Sequence, residues 1–460
     1  MTSCILAPHT GAKEQLLPKF ERSTRIALAA LIIVFLGQLA VFGYYICPDT
    51  KKYIAFSSRV NFLYPWYLAA LRTVFGEEQY FIWCAIVQNL FLAWAIFSLC
   101  EYLQRELDLT TAGFWGITFT AAACFLLQLV FTSNGIFAPN VIFSEGLAYP
   151  LYLLLAKYFF AGWRYPSKKL LCLTALFSFL LIGTRGQLSW TLLLILALGI
   201  RTLRAAGRSC AISCVATAAL AAAVFLLCSA LNTASNAYKN GFGQNATMGR
   251  SVVLATAIWC SEPEDTVLFS EDSPERAFLE EVNAFIDEKG CAARYAPDEL
   301  IARFYYFTDR YDTLKDALST FMLNHVPLKE LTLFSIRIAL RLAAHRPLAL
   351  LRHTSMNFLA GAVRSVAIFS PMFIILAALF YLITLVTVLM CRKTGILAAE
   401  CRLMLGALSL TTLNCWFVSL GVFALPRYMF YNLPLLYISA EILFLRLLLQ
   451  FFRKKSAKQT

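Results

Sequence analysis

The chain has 460 residues, of which 59% are hydrophobic and only 15% are charged. Soluble domains carry about 45–50% apolar and about 25% charged residues, so this composition argues against a soluble enzyme and against a disordered chain. A membrane β-barrel would show short alternating segments instead of long apolar runs. The net charge of +13 lies mostly in short loops between apolar runs, where it orients a membrane protein and does not indicate a nucleic-acid partner.

The apolar runs predict an all-α polytopic membrane protein with about ten transmembrane helices, since one crossing needs roughly 20 apolar residues. No small-residue cleavage site follows the first run, which is also too long for the hydrophobic region of a signal peptide, so we expect it to remain as an anchor. In chain order the predicted spans are 26–45, 79–100, 112–132, 144–162, 169–184, 187–203, 209–231, 366–390, 402–424 and 429–450.

Basic residues in the short loops predict the orientation of these spans. With ten spans, every strongly basic short loop falls on one side, which the positive-inside rule assigns to the cytoplasm. Both termini are then cytoplasmic in a plasma (inner) membrane protein, with an N-terminal segment 1–25 and a basic tail 451–460. The loops concerned carry Arg164, Lys168 and Lys169, then Arg201, Arg204 and Arg208, then Arg392 and Lys393, and finally Arg453, Lys454 and Lys455.

Between the spans the sequence predicts two external regions. The first is an amphipathic loop, 46–78, inside an N-terminal transmembrane module 26–231. The second is an extracytoplasmic region, 232–365, followed by C-terminal transmembrane helices 366–450. Within 232–346 lie 16 of the 27 Asp and Glu residues, so this part resembles a soluble domain in composition. Helical spacing over 274–289 and 297–323 predicts a mostly helical region, and 328–360 reads as amphipathic helices that return to the membrane.

The cysteine pattern gives no sign of a metal site. None of the fourteen cysteines forms a CxxC or CxxH cluster with metal-ligand spacing, so a zinc site is not predicted. Cys260 and Cys291 lie in the same polar region. They could form a disulfide in an oxidising compartment, and the alternative of two free thiols stays open.

Two carboxylates stand at the predicted external ends of spans, where ionisable residues are functional candidates by default. Asp49 follows the first span directly, and partial burial there would raise its pKa and suit it to act as a general base. Glu145 opens the fourth span. The alternative for both is structural, because Asp is a favoured helix cap and Glu is stabilised at a helix N-terminus.

Two arginines stand at the same predicted membrane face. Arg185 and Gln187 interrupt an apolar stretch, and polar groups there should face a cavity because they are costly in lipid. Arg427 and Tyr428 precede the last span. The alternatives are a plain turn with a snorkelling arginine and an interfacial Arg–Tyr anchor. Guanidinium groups bind phosphate oxygens bidentately, so two carboxylates and two arginines together suit transfer from a lipid-linked phosphate donor.

At these residues the sequence resembles the GT-C superfamily of integral-membrane glycosyltransferases, nearest to its protein O-mannosyltransferase and aminoarabinose transferase branch. That family has a catalytic acid and then a Tyr after its first span, matched here by Asp49 and Tyr53. A Pro-centred segment and an amphipathic helix ending in Phe-Gly follow, matched by 64–67 and 75–76. A Glu that opens a later span and a late Arg-Tyr segment are matched by Glu145 and 427–428. Thr50 replaces the family's second acid, and Tyr64 replaces its His.

The resemblance implies an inverting hexosyl or pentosyl transferase. Its donor would be a polyprenyl-phosphate-linked sugar, and its acceptor would be an extracytoplasmic glycan, lipid or protein. The lipids of the surrounding membrane would be further partners. Many members of the family need no metal, and one branch uses a divalent cation. The resemblance therefore implies no required cofactor and leaves the use of a divalent cation open. The residues that the resemblance and the charge pattern assign to the site are Asp49 and Glu145 as catalytic, Arg185, Arg427 and Tyr428 as phosphate-binding, and Lys52, Tyr53, Tyr64 and Gln187 as substrate-binding.

Three other classes remain open at this stage. An O-antigen polymerase or ligase also has many spans and a large external loop, but relies on loop arginines without an Asp after the first span. A flippase or transporter would favour internal repeats and charges at mid-membrane depth, neither of which we find. A structural scaffold leaves Arg185 and Gln187 without a purpose.

Overall fold

The structure is a computed structural model that describes residues 22–58, 60–127, 138–241, 248–327 and 330–456. All regular elements of these residues are helical, and their single β interaction is an isolated parallel bridge between Tyr45 and Val141. The predicted segments 1–25 and 451–460, and the end of the predicted span 112–132, lie partly outside the described residues.

The described part of the N-terminal half contains eight α-helices. They are α1 (Arg22–Phe42), α2 (Pro48–Ile54), α3 (Leu63–Leu107), α4 (Thr111–Leu126), α5 (Glu145–Arg164), α6 (Lys168–Thr184), α7 (Leu192–Ala205) and α8 (Cys210–Asn240). Short 3-10 turns at Ala138–Asn140 and Gly186–Thr191 precede α5 and α7. Proteins of this kind are built from helices because a helix satisfies its own backbone polar groups in lipid.

Nine further α-helices follow in the described part of the C-terminal half. They are α9 (Met248–Trp259), α10 (Pro274–Lys289), α11 (Leu300–His325), α12 (Leu331–His345), α13 (Pro347–Arg364), α14 (Pro371–Thr394), α15 (Ala398–Gly421), α16 (Pro426–Met429) and α17 (Leu433–Ser456). The predicted helix at 274–289 is found at those bounds, and the one predicted at 297–323 occupies Leu300–His325.

The helices are those of a polytopic helical membrane protein. Each predicted span contains a helix, and seven helices of the described residues are long and apolar enough to cross a membrane: Thr24–Phe42, Leu63–Leu107, Gly186–Ala205, Cys210–Asn240, Pro371–Thr394, Ala398–Gly421 and Leu433–Phe452. Thr111–Leu126 is apolar but shorter. Helices α5 and α6 are not among these seven, so the count of ten spans stays a prediction.

Helix α3 is broken at Gly76, whose φ of 78° and ψ of 170° are not helical. Glycine adopts this positive φ without the steric cost that a side chain would bring. The break separates a first segment, 63–75, from the part of α3 that runs on to Leu107. The predicted external loop 46–78 is therefore mostly helical, consisting of α2 and the first turns of α3.

The short connections show which helix ends lie together. The turns α5–α6, α7–α8 and α14–α15 carry the basic clusters that begin at Arg164, Arg201 and Arg392. The opposite end of the helix bundle is formed by the residues after α1, before α5, after α6 and before α17. That opposite end carries the four polar sites predicted from the sequence.

A second hydrophobic core belongs to the region after α8. It is built from α9 to α12 and includes Trp259, Phe278 and Phe307, each of them fully buried. Helix α8 runs to Asn240, so it continues past the predicted boundary at 231. Cys260 and Cys291 are free, buried thiols in this region and do not form the disulfide that the sequence left open.

Candidate functional site

Polar side chains inside the membrane part hold the segment that leads to Glu145. Asn140 accepts hydrogen bonds at Oδ1 from Gln38 Nε2 at 2.8 Å and from Asn89 Nδ2 at 2.9 Å. Gln88 Nε2 donates to the carbonyl oxygens of Pro139 at 3.0 Å and Val141 at 3.2 Å. Since buried polar groups need partners, this network fixes the backbone just before α5 in one position.

Helix α2 is attached to the same segment, and this attachment brings Asp49 close to Glu145. The backbone of Tyr45 accepts from Ile142 N and donates to Asn140 O, both at 2.9 Å. Thr50 Oγ1 accepts from Cys47 N at 3.1 Å and donates to Ile142 O at 2.6 Å. Cys47, not Asp49, occupies the N-cap of α2, so the alternative of Asp49 as a helix cap is wrong.

Four charged side chains from distant parts of the chain meet at one point. Arg185 forms an ion pair with Glu145, whose side chain is 0% exposed. Arg427 lies between both carboxylates, with Nη1 at 3.3 Å from Asp49 Oδ2 and Nε at 3.5 Å from Glu145 Oε1. On its other side, Asp49 Oδ1 accepts from Lys52 Nζ at 2.8 Å. Arg427 is therefore an ion-pair partner of both carboxylates.

Aromatic and amide groups orient the two guanidinium groups. The ring of Tyr428 lies 4.9 Å from the guanidinium carbon of Arg185 and 5.2 Å from that of Arg427, measured to the ring centroid. Its hydroxyl accepts from Arg427 Nη2 at 3.3 Å. Gln187 Oε1 accepts from Arg185 Nη2 at 3.5 Å. Cation–π contacts and fixed hydrogen bonds reduce the freedom of both arginines, as a preorganised anion site requires.

A chain of hydroxyl groups supports Glu145 from the side of α2. Ser144 Oγ donates to Glu145 Oε2 at 3.2 Å and accepts from Arg185 Nη1 at 3.2 Å. Tyr53 OH lies 2.9 Å from Ser144 Oγ, and it is the donor because Ser144 has already given its one proton to Glu145. Burial raises the pKa of Tyr53, and the negative charge of Glu145 raises it further, so this phenol keeps its proton.

The pKa of Asp49 differs from the prediction. Burial raises it, as expected, but the hydrogen bond from Lys52 and the charges of Arg427, Lys52 and Arg185 outweigh that effect. The pKa of Asp49 therefore lies below its ordinary value, and the expectation of a raised pKa is wrong. Burial by itself would lower the pKa of Arg427, but Tyr428, Glu145 and Asp49 have the opposite and larger effect. The pKa of Arg427 therefore lies above the ordinary arginine value. Arg427 thus stays charged.

The cluster lines one side of a cavity of about 1000 Å³. Tyr311, Asp312, Lys315 and Asp316 of α11 form the wall on the side of the second core. Apolar side chains of α8 and α15, among them Phe225, Phe417 and Val418, form another part of the lining. The cavity therefore offers a cationic patch, a polar wall with charges of both signs and an apolar surface.

The structure brings most of the predicted site residues together. The cavity is lined by Asp49, Lys52, Tyr53, Arg185, Gln187, Arg427 and Tyr428, and Glu145 lies directly beneath them as the partner of both arginines. Tyr64 is different, because it is fully buried behind Tyr53, with ring centroids 4.8 Å apart, and its hydroxyl donates to Gln88 Oε1 at 3.0 Å. Tyr64 supports the site from below and has no surface for substrate contact, contrary to the prediction.

Sequence reasoning missed the groups that hold the segment carrying Arg427. Four side chains donate to its carbonyl oxygens: Tyr311 to Gly421 at 2.9 Å, Arg364 to Ala424 at 2.6 Å, Tyr149 to Arg427 at 2.8 Å and Asn414 Nδ2 to Tyr428 at 2.8 Å. Phe423 of the same segment packs into the second core, with its ring centroid 5.3 Å from that of Tyr311. None of these donors lies in a motif, so no sequence signal identifies them.

Among the described residues, no group of three or more His, Cys, Asp or Glu side chains is placed to hold a metal ion. The anions of the site are matched by cations of the chain itself, since Asp49 and Glu145 both have basic partners. In comparisons with known proteins, no family model, no curated protein and no solved structure matches this chain.

Proposed function

We propose that the protein is a multi-pass membrane glycosyltransferase that moves a sugar from a polyprenyl-phosphate donor to an extracytoplasmic acceptor. The single observation that carries the proposal is the convergence of Asp49, Arg185 and Arg427 at one cavity. In a membrane protein, such a costly group of ionisable side chains argues for a function. The basic loops at the opposite helix ends favour placing this cavity on the outer face of the plasma membrane.

The charges of the cluster suit a phosphate-bearing substrate. Lys52, Arg185 and Arg427 supply three positive charges against the two negative charges of Asp49 and Glu145. One net positive charge remains to attract an anion such as a phosphodiester. One unused donor points the same way, because Gln187 Nε2 is buried without a hydrogen-bond partner among the described residues.

In the proposed reaction, the Asp49 carboxylate takes the proton of an acceptor hydroxyl. The acceptor oxygen then bonds to the anomeric carbon, and the bond from that carbon to the phosphate oxygen breaks with inversion. The electron pair leaves on the lipid phosphate, whose growing negative charge is stabilised by Arg427, Arg185 and Lys52. These steps need no metal ion.

The rest of the cavity accommodates the other parts of such substrates. Phe225, Phe417 and Val418 offer apolar contact for the first units of a lipid chain. Asp312 and Lys315 form an ion pair on the opposite wall, at the side of the second core. We assign this wall to the acceptor, because polar side chains there can hydrogen-bond the hydroxyl groups of a glycan.

The test uses polyprenyl phosphate, the leaving group, so that it does not depend on the identity of the sugar. We expect the detergent-solubilised protein to bind polyprenyl phosphate more tightly than the uncharged polyprenol of equal length, measured by microscale thermophoresis. Arg427→Ala should weaken this binding more than Arg427→Lys, since lysine keeps a point charge but not the bidentate fork. Equal affinity for the phosphate and the alcohol would refute the proposal.

Tyr311→Phe should weaken the binding of polyprenyl phosphate a few-fold, although Tyr311 belongs to the region outside the membrane. The reason is that its hydroxyl holds the carbonyl of Gly421 in the segment that carries Arg427, and one such bond is worth about 1 kcal/mol. The matched control is Tyr305→Phe, which removes a bond of 3.0 Å from the same helix to Phe369 O. The same affinity in both variants would show that Tyr311 does not position Arg427.

A further inference from the structure

The carboxylate of Asp49 is engaged by a cation at each of its oxygens. Lys52 Nζ lies 2.8 Å from Oδ1, and Arg427 Nη1 lies 3.3 Å from Oδ2. A carboxylate held in this way is a poor proton acceptor, because protonation must break both interactions. The resting arrangement therefore conflicts with the role of Asp49 as a general base, which is the role that the proposed function needs.

The two partners of Asp49 are also the cations that a ligand can reach most readily. The side chain of Arg427 is 34% exposed and that of Lys52 is 46% exposed, whereas that of Arg185 is 13% exposed. Arg185 is committed to the buried Glu145 and to Ser144. A phosphate that enters the cavity thus meets Arg427 and Lys52 at the positions where Asp49 now satisfies them.

We propose that the donor phosphate displaces Asp49 from Arg427 and Lys52, so that donor binding itself releases the base and precedes activation of the acceptor. This inference rests on the proposed function. Before the donor binds, Asp49 is paired and the acceptor hydroxyl keeps its proton. After the donor binds, the phosphate neutralises both cations and the Asp49 carboxylate is left facing the cavity, ready to accept that proton.

The other groups around Asp49 do not replace the lost partners. Glu145 stays paired with Arg185, Tyr53 donates to Ser144, and Tyr428 contributes a neutral hydroxyl. Of the charged groups that face Asp49, only Arg185 then remains. It is paired with Glu145 and makes no direct ion pair with Asp49. A released Asp49 in a partly dry cavity has a higher proton affinity than in the resting site, because burial then acts with less compensation.

The experiment compares binding of polyprenyl phosphate by the unsubstituted protein and by Asp49→Asn. Under the inference the variant binds more tightly, because the ligand no longer competes with a carboxylate for Arg427 and Lys52. We expect a gain on the order of tenfold, the affinity equivalent of about one charge-assisted hydrogen bond. Asp49→Ser serves as a second variant and should show a gain in the same direction. Unchanged or weaker binding in these variants overturns the inference.

Two controls separate displacement from a general effect of charge. Asp298→Asn removes one negative charge at a side chain that is 98% exposed and lies outside the cavity lining, and it should leave the affinity nearly unchanged. In the Arg427→Gln background, the gain from Asp49→Asn should shrink strongly, whereas a long-range charge effect would persist. Failure of this inference is distinguishable from failure of the proposed function, because the latter appears already in the unmodified protein as equal binding of polyprenyl phosphate and polyprenol.

Discussion

Asp49→Asn is expected to lower sugar transfer at least about 100-fold, the usual worth of a general base. The amide has nearly the same shape but cannot accept the proton of the acceptor hydroxyl. The measurement is the release of radiolabelled sugar from a panel of polyprenyl-phosphate sugars in inverted or right-side-out membrane vesicles. Together with tighter binding of polyprenyl phosphate, this loss would mark Asp49 as a base that competes with the donor phosphate.

The control for this variant is Asp108→Asn, at the C-cap of α3. Asp108 has a φ of 49°, a left-handed conformation that Asn also tolerates well. It should therefore retain both fold and transfer. Normal transfer by Asp49→Asn would remove Asp49 from the role of base and would favour an enzyme of the O-antigen polymerase or ligase type. A transporter would give no transfer with either protein.

Arg185→Ala is expected to have the largest effect on stability, a loss of about 3–5 kcal/mol, because it leaves a buried charge without its main partner. Glu145 is completely buried, and the remaining contact with Arg427 is longer and poorly aligned for a hydrogen bond. The unfolding of the detergent-solubilised protein, followed by circular dichroism in increasing denaturant, measures the loss as a lower midpoint.

A second substitution tests this explanation. Arg185→Ala combined with Glu145→Gln should recover part of the lost stability, since the unpaired carboxylate is then gone. The control is Arg276→Ala, which breaks a pair with the largely exposed Glu280 and should change the midpoint only slightly. If Arg185→Ala and Arg276→Ala shift the midpoint equally, the buried pair does not stabilise the fold.

The positions of the helices could be predicted well from the sequence, because an apolar run of sufficient length leaves few alternatives to a helix in a membrane. The ends of these runs also predicted a common end of the helix bundle for Asp49, Glu145, Arg185 and Arg427. The contacts among these four side chains could not be predicted in the same way. Asp49 and Arg427 are 378 positions apart, and their contact depends on how distant helices pack.

The differences from prediction have a common physical cause. Tyr64 is buried because it packs against Tyr53 and donates a hydrogen bond to Gln88. Neither contact can be inferred from the local sequence around Tyr64. The lowered pKa of Asp49 arises from Lys52, which is near in sequence, and from Arg427, which is not. Burial could be inferred from the position after a span, but the compensating charges could not.

The contribution of Phe423 to the second core has a consequence for biosynthesis. This side chain is 6% exposed and packs on Phe307 and Tyr311, yet it emerges from the ribosome about a hundred residues after them. A nascent chain that ends before α15 therefore has a second core whose interior is still incomplete. Final consolidation of that core must await synthesis of the chain past Phe423, about a hundred residues after Tyr311.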